Sequence, residues 1–80
     1  MSAEVKLAHP VEAEGRTLDR LLMRRPRVRD MLAAEKRSGS DAEKEVAMFA
    51  SLCEVAPSVI ESLDLADYQA LQEAYRGFLS

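Results

Sequence analysis

The chain has 80 residues, 48% of them hydrophobic and 31% charged, with a formal net charge of −3. Such a chain forms one small domain, here residues 1–80, whose core has little room for a deep catalytic cleft. A single cysteine, Cys53, excludes an intramolecular disulfide. No apolar run approaches the roughly 18 residues of a membrane span, and Glu4, Lys6 and His9 interrupt any signal-peptide core. We therefore expect a cytoplasmic protein.

Residues 4–24 are predicted to form a two-stranded antiparallel β-hairpin. Gly15 ends the short loop 13–15, where a three-residue hairpin loop needs a positive φ. Counting outward from a closing pair of Glu12 and Arg16 gives a register with one apolar and one polar face. The predicted pairs are Val11 with Thr17, Leu7 with Leu21 and Val5 with Met23 on the apolar face, and Lys6 with Leu22 and Glu4 with Arg24 on the polar face.

Two further features belong to the first strand. Pro10 lacks an N–H, so it marks either a bulge or an outward-facing edge position. His9 lies opposite Asp19 in this register, and two such residues are too few for a metal site, so we predict a polar pair. A two-stranded hairpin is marginal alone, and the helices that follow must cover its apolar face.

The first helix is predicted over residues 27–37, after Pro26, which suits the start of a helix. Val28, Met31 and Leu32 follow helical spacing and are predicted as its buried stripe. Gly39 is a natural stop signal just after the helix.

The second helix is predicted over residues 41–55. Ser40 and Glu43 have the spacing of a capping box at its start. Met48 and Leu52 widen its apolar face, so the helix is either buried over a broad arc or carries a contact surface. Cys53, on the main stripe, is predicted to be a small buried apolar residue.

A short helical turn is predicted over 57–62 and a final helix over 64–79, capped by Asp64. This final helix supplies most of the large apolar volume, so we predict that it forms the wall of the core; the alternative is a groove for a partner helix. The fold class is therefore α+β, a hairpin followed by three helices and a short helical turn. The predicted stripe of the final helix comprises Leu65, Tyr68, Leu71, Gln72, Tyr75, Phe78 and Leu79.

Residues that carry catalytic chemistry are sparse. There is one histidine, one cysteine and three isolated glycines, so neither a catalytic triad, a zinc cluster nor a glycine-rich phosphate loop can be assembled. We expect no catalytic residue, no cofactor and no metal, and hence not an enzyme.

Charge is unevenly distributed along the chain. Residues 16–37 hold eight basic and three acidic residues, a net charge of +5, whereas residues 38–80 carry −6. Arginines with apolar residues between them indicate a protein-binding patch for an acidic partner, or a solvated face; nucleic-acid binding is less consistent with the acidic total. The candidate partner-binding residues on the outer face of the hairpin are Leu18, Arg20, Leu22 and Arg24.

Five segments spread along the chain form a recognisable set of motifs: LMRRP at 22–26, LAAEK at 32–36, SDAE at 40–43, LDLADY at 63–68 and LQEAYRGFL at 71–79. Together they resemble the small tail assembly chaperones of contractile-tailed, Mu-like and P2-like phages and prophages. The resemblance spans nearly the whole chain, and its C-terminal motifs are the most specific part.

This resemblance implies a non-enzymatic assembly factor that is absent from the finished virion. It implies binding to the tape-measure protein, recruitment of the tail-tube protein and, by programmed frameshifting, a longer form of the same chain. A flexible, methionine-bearing surface formed by Met31, Met48 and Leu52 would suit varied helical segments of such a partner; its alternative is ordinary core filling. A structural tail component and a small nucleic-acid-binding or regulatory protein are the other candidate functions.

Overall fold

A computed structural model describes all 80 residues and confirms the α+β fold class. The predicted hairpin, three helices and short helical turn are all present, and no element end differs from its prediction by more than two residues. No helix combines the length and apolar character needed to cross a bilayer. The elements are β1 (Ser2–Ala13), β2 (Arg16–Arg24), α1 (Val28–Glu35), α2 (Asp41–Cys53), α3 (Pro57–Glu61) and α4 (Leu65–Phe78).

The hairpin turn has two residues, so the predicted three-residue loop is wrong. Ala13 pairs with Arg16, and Glu14 and Gly15 between them have φ values of 52° and 77°. Positive φ at both central residues defines the type I′ turn that matches the twist of the strands. Glutamate is rarely found in this left-handed region, which is why the sequence pattern favours the longer loop.

A wide bulge in β1 shifts the rest of the register. Val11 pairs with Leu18, but the next pair is Lys6 with Arg20, so residues 7–10 lie opposite one residue of β2. Of the two alternatives for Pro10, a bulge or an outward-facing edge position, the structure has the bulge, which spans four residues of β1. The predicted partners are wrong on both sides of it: nearer the turn Val11 faces Leu18, not Thr17, and beyond the bulge Val5 faces Leu21, not Met23.

The inner face beyond the bulge is nevertheless as predicted, whereas nearer the turn Leu18 takes the inward position predicted for Thr17. Val5, Leu7, Leu21 and Met23 are all buried. Beyond the bulge, the true register differs from the predicted one by two residues, and side chains alternate with a period of two, so the same residues still point inward.

The core centres on Phe49 of α2, which α4 encloses from one side. The Phe49 ring lies 5.6 Å from the ring centroids of both Tyr68 and Tyr75, and Leu71 between them is fully buried. The prediction that α4 forms the wall of the core is confirmed for these residues and for Phe78. Leu65 and Leu79, also predicted in the stripe, are exposed because they lie at the two ends of the helix.

The predicted caps at the starts of α2 and α4 are confirmed, whereas α1 ends at Glu35 with Lys36 as its C-cap, before the predicted stop at Gly39. The Ser40 hydroxyl accepts the N–H of Glu43 at 3.1 Å, and the Glu43 carboxylate accepts the N–H of Ser40 at 2.8 Å. Asp64 accepts the N–H of Ala66 at 2.9 Å. Cys53 is a buried free thiol, as predicted, and its burial raises its pKa to about 11.

A buried aspartate of α4 fixes the bulge. The two carboxylate oxygens of Asp67 accept the backbone N–H groups of Ala8 and His9, each at 2.9 Å. The bulge leaves these donors without a partner in β2, and Asp67 supplies it. The predicted pair of His9 with Asp19 is wrong, because this arrangement turns His9 toward Asp64, 4.0 Å away.

A second buried aspartate joins α1 to the end of β2. The Asp30 carboxylate accepts two hydrogen bonds from the Arg24 guanidinium, at 3.0 and 2.8 Å, and one from the N–H of Arg27 at 2.8 Å. The bond with Arg24, assisted by that from Arg27, lowers the pKa of Asp30. This arrangement decides which side of α1 faces the protein.

Candidate partner-binding surface

The exposed face of α1 carries three large apolar side chains that nothing covers. Val28, Met31 and Leu32 are 69%, 51% and 51% exposed, so the prediction that they form a buried stripe is wrong. The helix instead buries Asp30 and Ala34, because Asp30 must face Arg24. Val28, Met31 and Leu32 lie at positions i, i+3 and i+4 and form one continuous strip, called here the α1 strip.

A small groove continues the α1 strip toward α2 and α4. Met31, Met48 and Tyr75 line a cavity of about 300 Å³. The structure thus brings together Met31 and Met48, two of the predicted partner-binding residues. Methionine side chains adapt to different shapes, and the groove gives the strip a second apolar wall. Its remaining lining residues are Ala34, Glu35, Asp41, Lys44 and Glu45.

Leu52, the third predicted member of the methionine surface, does not reach it. Leu52 has no exposed area and belongs to the core. Of the two alternatives for the broad apolar arc of α2, burial therefore applies to Leu52, whereas Met48 remains half-buried at the edge of the groove.

The outer face of the hairpin retains only two of its four predicted partner-binding residues. Leu22 is 57% exposed. Arg20 is exposed too, but its guanidinium already pairs with Glu4 at 3.2 Å and Asp19 at 3.3 Å. These neighbours neutralise Arg20, which makes it a weaker anchor for an acidic partner.

Leu18 and Arg24 do not lie free on this outer face. Leu18 is half-buried against the core and lines a cavity with Val55 and Val59, because in the observed register it pairs with Val11, which also packs against the core. Arg24 is engaged by Asp30 and supports the fold. A charge reversal at Arg24 therefore tests stability, not partner binding.

Unpaired cations border the α1 strip on one side. Within residues 16–37, only Arg20 and Arg24 form ion pairs. Arg25, Arg27 and Arg29 line a shallow depression of about 640 Å³ beside the first residues of α1, and the Arg25 guanidinium lies 5.6 Å from the ring centroid of Phe78. We call Arg25, Arg27, Arg29 and Lys36 the basic border.

The sequence prediction missed Val28 and Leu32 as surface residues and Tyr75 as a wall of the groove. No local signal identifies the buried side of α1. Asp30 accepts the N–H of Arg27 at the start of the helix, but Glu43 makes the same bond at the start of α2 and is exposed.

Comparison with known protein families matches residues 4–80 to the family described as phage tail assembly chaperone proteins, E, or 41 or 14. The match covers β1 from Glu4 onward, β2 and all four helices. No curated protein and no solved structure gives a significant match. The family suggested by the sequence motifs is therefore confirmed, and the chain belongs to the phage tail assembly chaperone family.

Proposed function

We propose that this protein is a chaperone of the tape-measure protein and that it binds apolar-striped helical segments through the α1 strip and its groove. The observation that carries the proposal is the strip itself: Val28, Met31 and Leu32 are exposed on a helix whose other side is locked by Asp30. Helix α1 cannot rotate to bury these residues without breaking the bond to Arg24. The surface is therefore held open for a partner.

The family supports the broad role. A tail assembly chaperone interacts with tail proteins, acts without catalysis and works as an assembly factor outside the virion. The narrower proposals are a tape-measure partner, assistance to the tail-tube protein, action in the host cytoplasm and a longer frameshifted form with the same α1 strip.

The size of the strip favours weak binding repeated many times. Burying an apolar side chain fully contributes about 1.5–3 kcal/mol, and half or more of each of the three side chains is available. The gain of a few kcal/mol is comparable to the cost of immobilising two partners, so one copy binds weakly. Many copies along one long chain keep it covered through their combined occupancy, and each copy can still be released.

An adaptable groove suits a partner whose segments differ. A tape-measure protein is a long, largely helical chain, so successive segments present different side chains. Met31 and Met48 in the groove can reshape around them, because methionine has three rotatable bonds and a polarizable sulfur. A rigid, closely fitted pocket would select one segment only.

Nucleic-acid binding is the second candidate, and the unpaired arginines of the basic border favour it. A structural role in the tail is the third. Salt-dependent binding to generic duplex DNA would favour the second, and recovery of the protein from purified virions would favour the third.

Co-expression with the neighbouring tape-measure gene tests the proposed function. We expect the tape-measure protein to stay in the soluble fraction when this chain is present and to precipitate when it is absent. Equal precipitation with and without the chain would contradict the chaperone function.

A further inference from the structure

We propose that the α1 strip selects partner helices whose apolar stripe is bordered by carboxylates, and that Arg27 and Arg29 of the basic border recognise those carboxylates. This inference rests on the proposed function, because it specifies the chemistry of the segment that the same surface binds. The occupant is one kind of ligand, an acidic amphipathic helix.

The basic border runs alongside the strip. Arg29 follows Val28 directly, and Lys36 lies seven residues further on, which is two helical turns away on the same side of α1. Leu32 lies between these turns, next to both cations. A helix laid on the strip therefore has positive charge along one flank.

At the N-terminal end of α1 the border widens into the depression lined by Arg25, Arg27 and Arg29. None of these arginines has a carboxylate partner within the protein. Arg24, in the same lining, is already committed to the buried Asp30. The fold thus satisfies one arginine of the cluster and leaves three facing solvent, where guanidinium groups suit bidentate binding of carboxylates.

The two parts of this surface require a ligand that satisfies both. The phosphates of a nucleic acid would pair with the arginines but offer no apolar stripe to cover Met31 and Leu32. An apolar helix without charge would cover the strip and leave the border unpaired. An amphipathic helix with glutamates along one flank meets both demands, since its side chains at i, i+4 and i+7 lie on one side.

Two synthetic helical peptides test the selection. Both carry the same apolar stripe; one has glutamates along one flank, and the other has glutamines at those positions. We expect the glutamate peptide to bind about tenfold more tightly at low salt, the combined effect of two or three exposed ion pairs. The difference should shrink as ionic strength rises.

Charge-reversed variants locate the effect. Arg27→Glu combined with Arg29→Glu should remove the preference for the glutamate peptide, and Arg27→Gln with Arg29→Gln should reduce it without adding negative charge beside Asp30. Arg16→Glu combined with Lys6→Glu is the matched control for charge, because both residues lie exposed on the hairpin and neither forms an ion pair. The control variant should prefer the glutamate peptide over the glutamine peptide about as strongly as the natural chain does. Circular dichroism of each variant confirms that it is folded.

The outcomes separate this inference from the proposed function. Equal binding of both peptides, unaffected by the arginine substitutions, would overturn the inference while leaving the chaperone function intact. Absence of binding by either peptide, together with failure to solubilise the tape-measure protein, would overturn the proposed function. Two further outcomes would overturn the inference if the chain bound both peptides equally. One is binding of a DNA duplex that depends on Arg27 and Arg29, and the other is self-association in sedimentation that depends on them.

Discussion

Replacing Asp67 with alanine will lower the free energy of unfolding by about 2–3 kcal/mol, because it leaves two backbone N–H groups without a partner. Asp67 is buried and accepts the N–H groups of Ala8 and His9 at 2.9 Å each. Without it, the bulge must open to water or rearrange. Urea unfolding followed by far-ultraviolet circular dichroism measures the loss.

Asp41→Ala is the matched control for this substitution. Asp41 also lies in the first turn of a helix, but it is exposed and its side chain is not engaged in a hydrogen bond. Its replacement should therefore lower the free energy of unfolding only slightly. The free energy of unfolding of Asp67→Asn should lie between those of Asp67→Ala and Asp41→Ala. The amide has one acceptor oxygen, and its NH₂ group would face a second donor. Equal urea midpoints for Asp67→Ala and Asp41→Ala would show that the bulge is held by other contacts.

Replacing Asp30 with asparagine will destabilise the protein by about 2 kcal/mol at neutral pH, less than for a fully buried ion pair because Arg24 is partly exposed. The amide keeps an acceptor for Arg27 but loses the bidentate charge contact with Arg24. The pKa of Asp30 is lower in the folded chain than in the unfolded one. Its contribution is therefore fully present above the unfolded pKa of about 3.9 and disappears as pH falls through the folded value.

Urea unfolding at a series of pH values tests this dependence. The difference between the natural chain and Asp30→Asn should be largest at neutral pH and should shrink below about pH 4, where the natural carboxyl itself takes up a proton. Asp19→Asn is the control, since Asp19 forms an exposed pair with Arg20, and it should change stability little at any pH. A difference for Asp30→Asn that stays constant down to acid pH would contradict an ionised, paired Asp30.

The elements of the fold could be predicted because their signals are local. Alternation in the strands identifies Val5, Leu7, Leu21 and Met23 as the inner face, and that assignment survives a two-residue change of register. The register itself could not be predicted. Asp67, which fixes the bulge, lies 58 residues along the chain from His9, and no local pattern connects them.

The candidate site was predicted only in part, for a related reason. Helical spacing identifies Val28, Met31 and Leu32 as one face of α1 but does not say whether that face points inward. The contact between Arg24 and Asp30 decides it, and a charge pair can outweigh an apolar stripe when its carboxylate is buried. Met48 and Leu52 show the same limit on α2, since only the neighbouring elements determine which of them is covered.

The central claim, that the α1 strip is the surface that holds the tape-measure protein in solution, is tested most directly by variants of that strip. The measurement is the amount of soluble tape-measure protein co-expressed with the natural chain, with a Val28→Gln and Leu32→Gln variant, or with Leu22→Gln. Leu22 is a comparably exposed leucine on the outer face of the hairpin, the other predicted partner-binding surface, so its variant tests whether solubilisation depends on the α1 strip or on that face. We predict that the Leu22 variant solubilises the tape-measure protein as the natural chain does, whereas the α1 variant does not. Full solubilisation by the α1 variant, or its loss in the Leu22 variant alone, would contradict the claim.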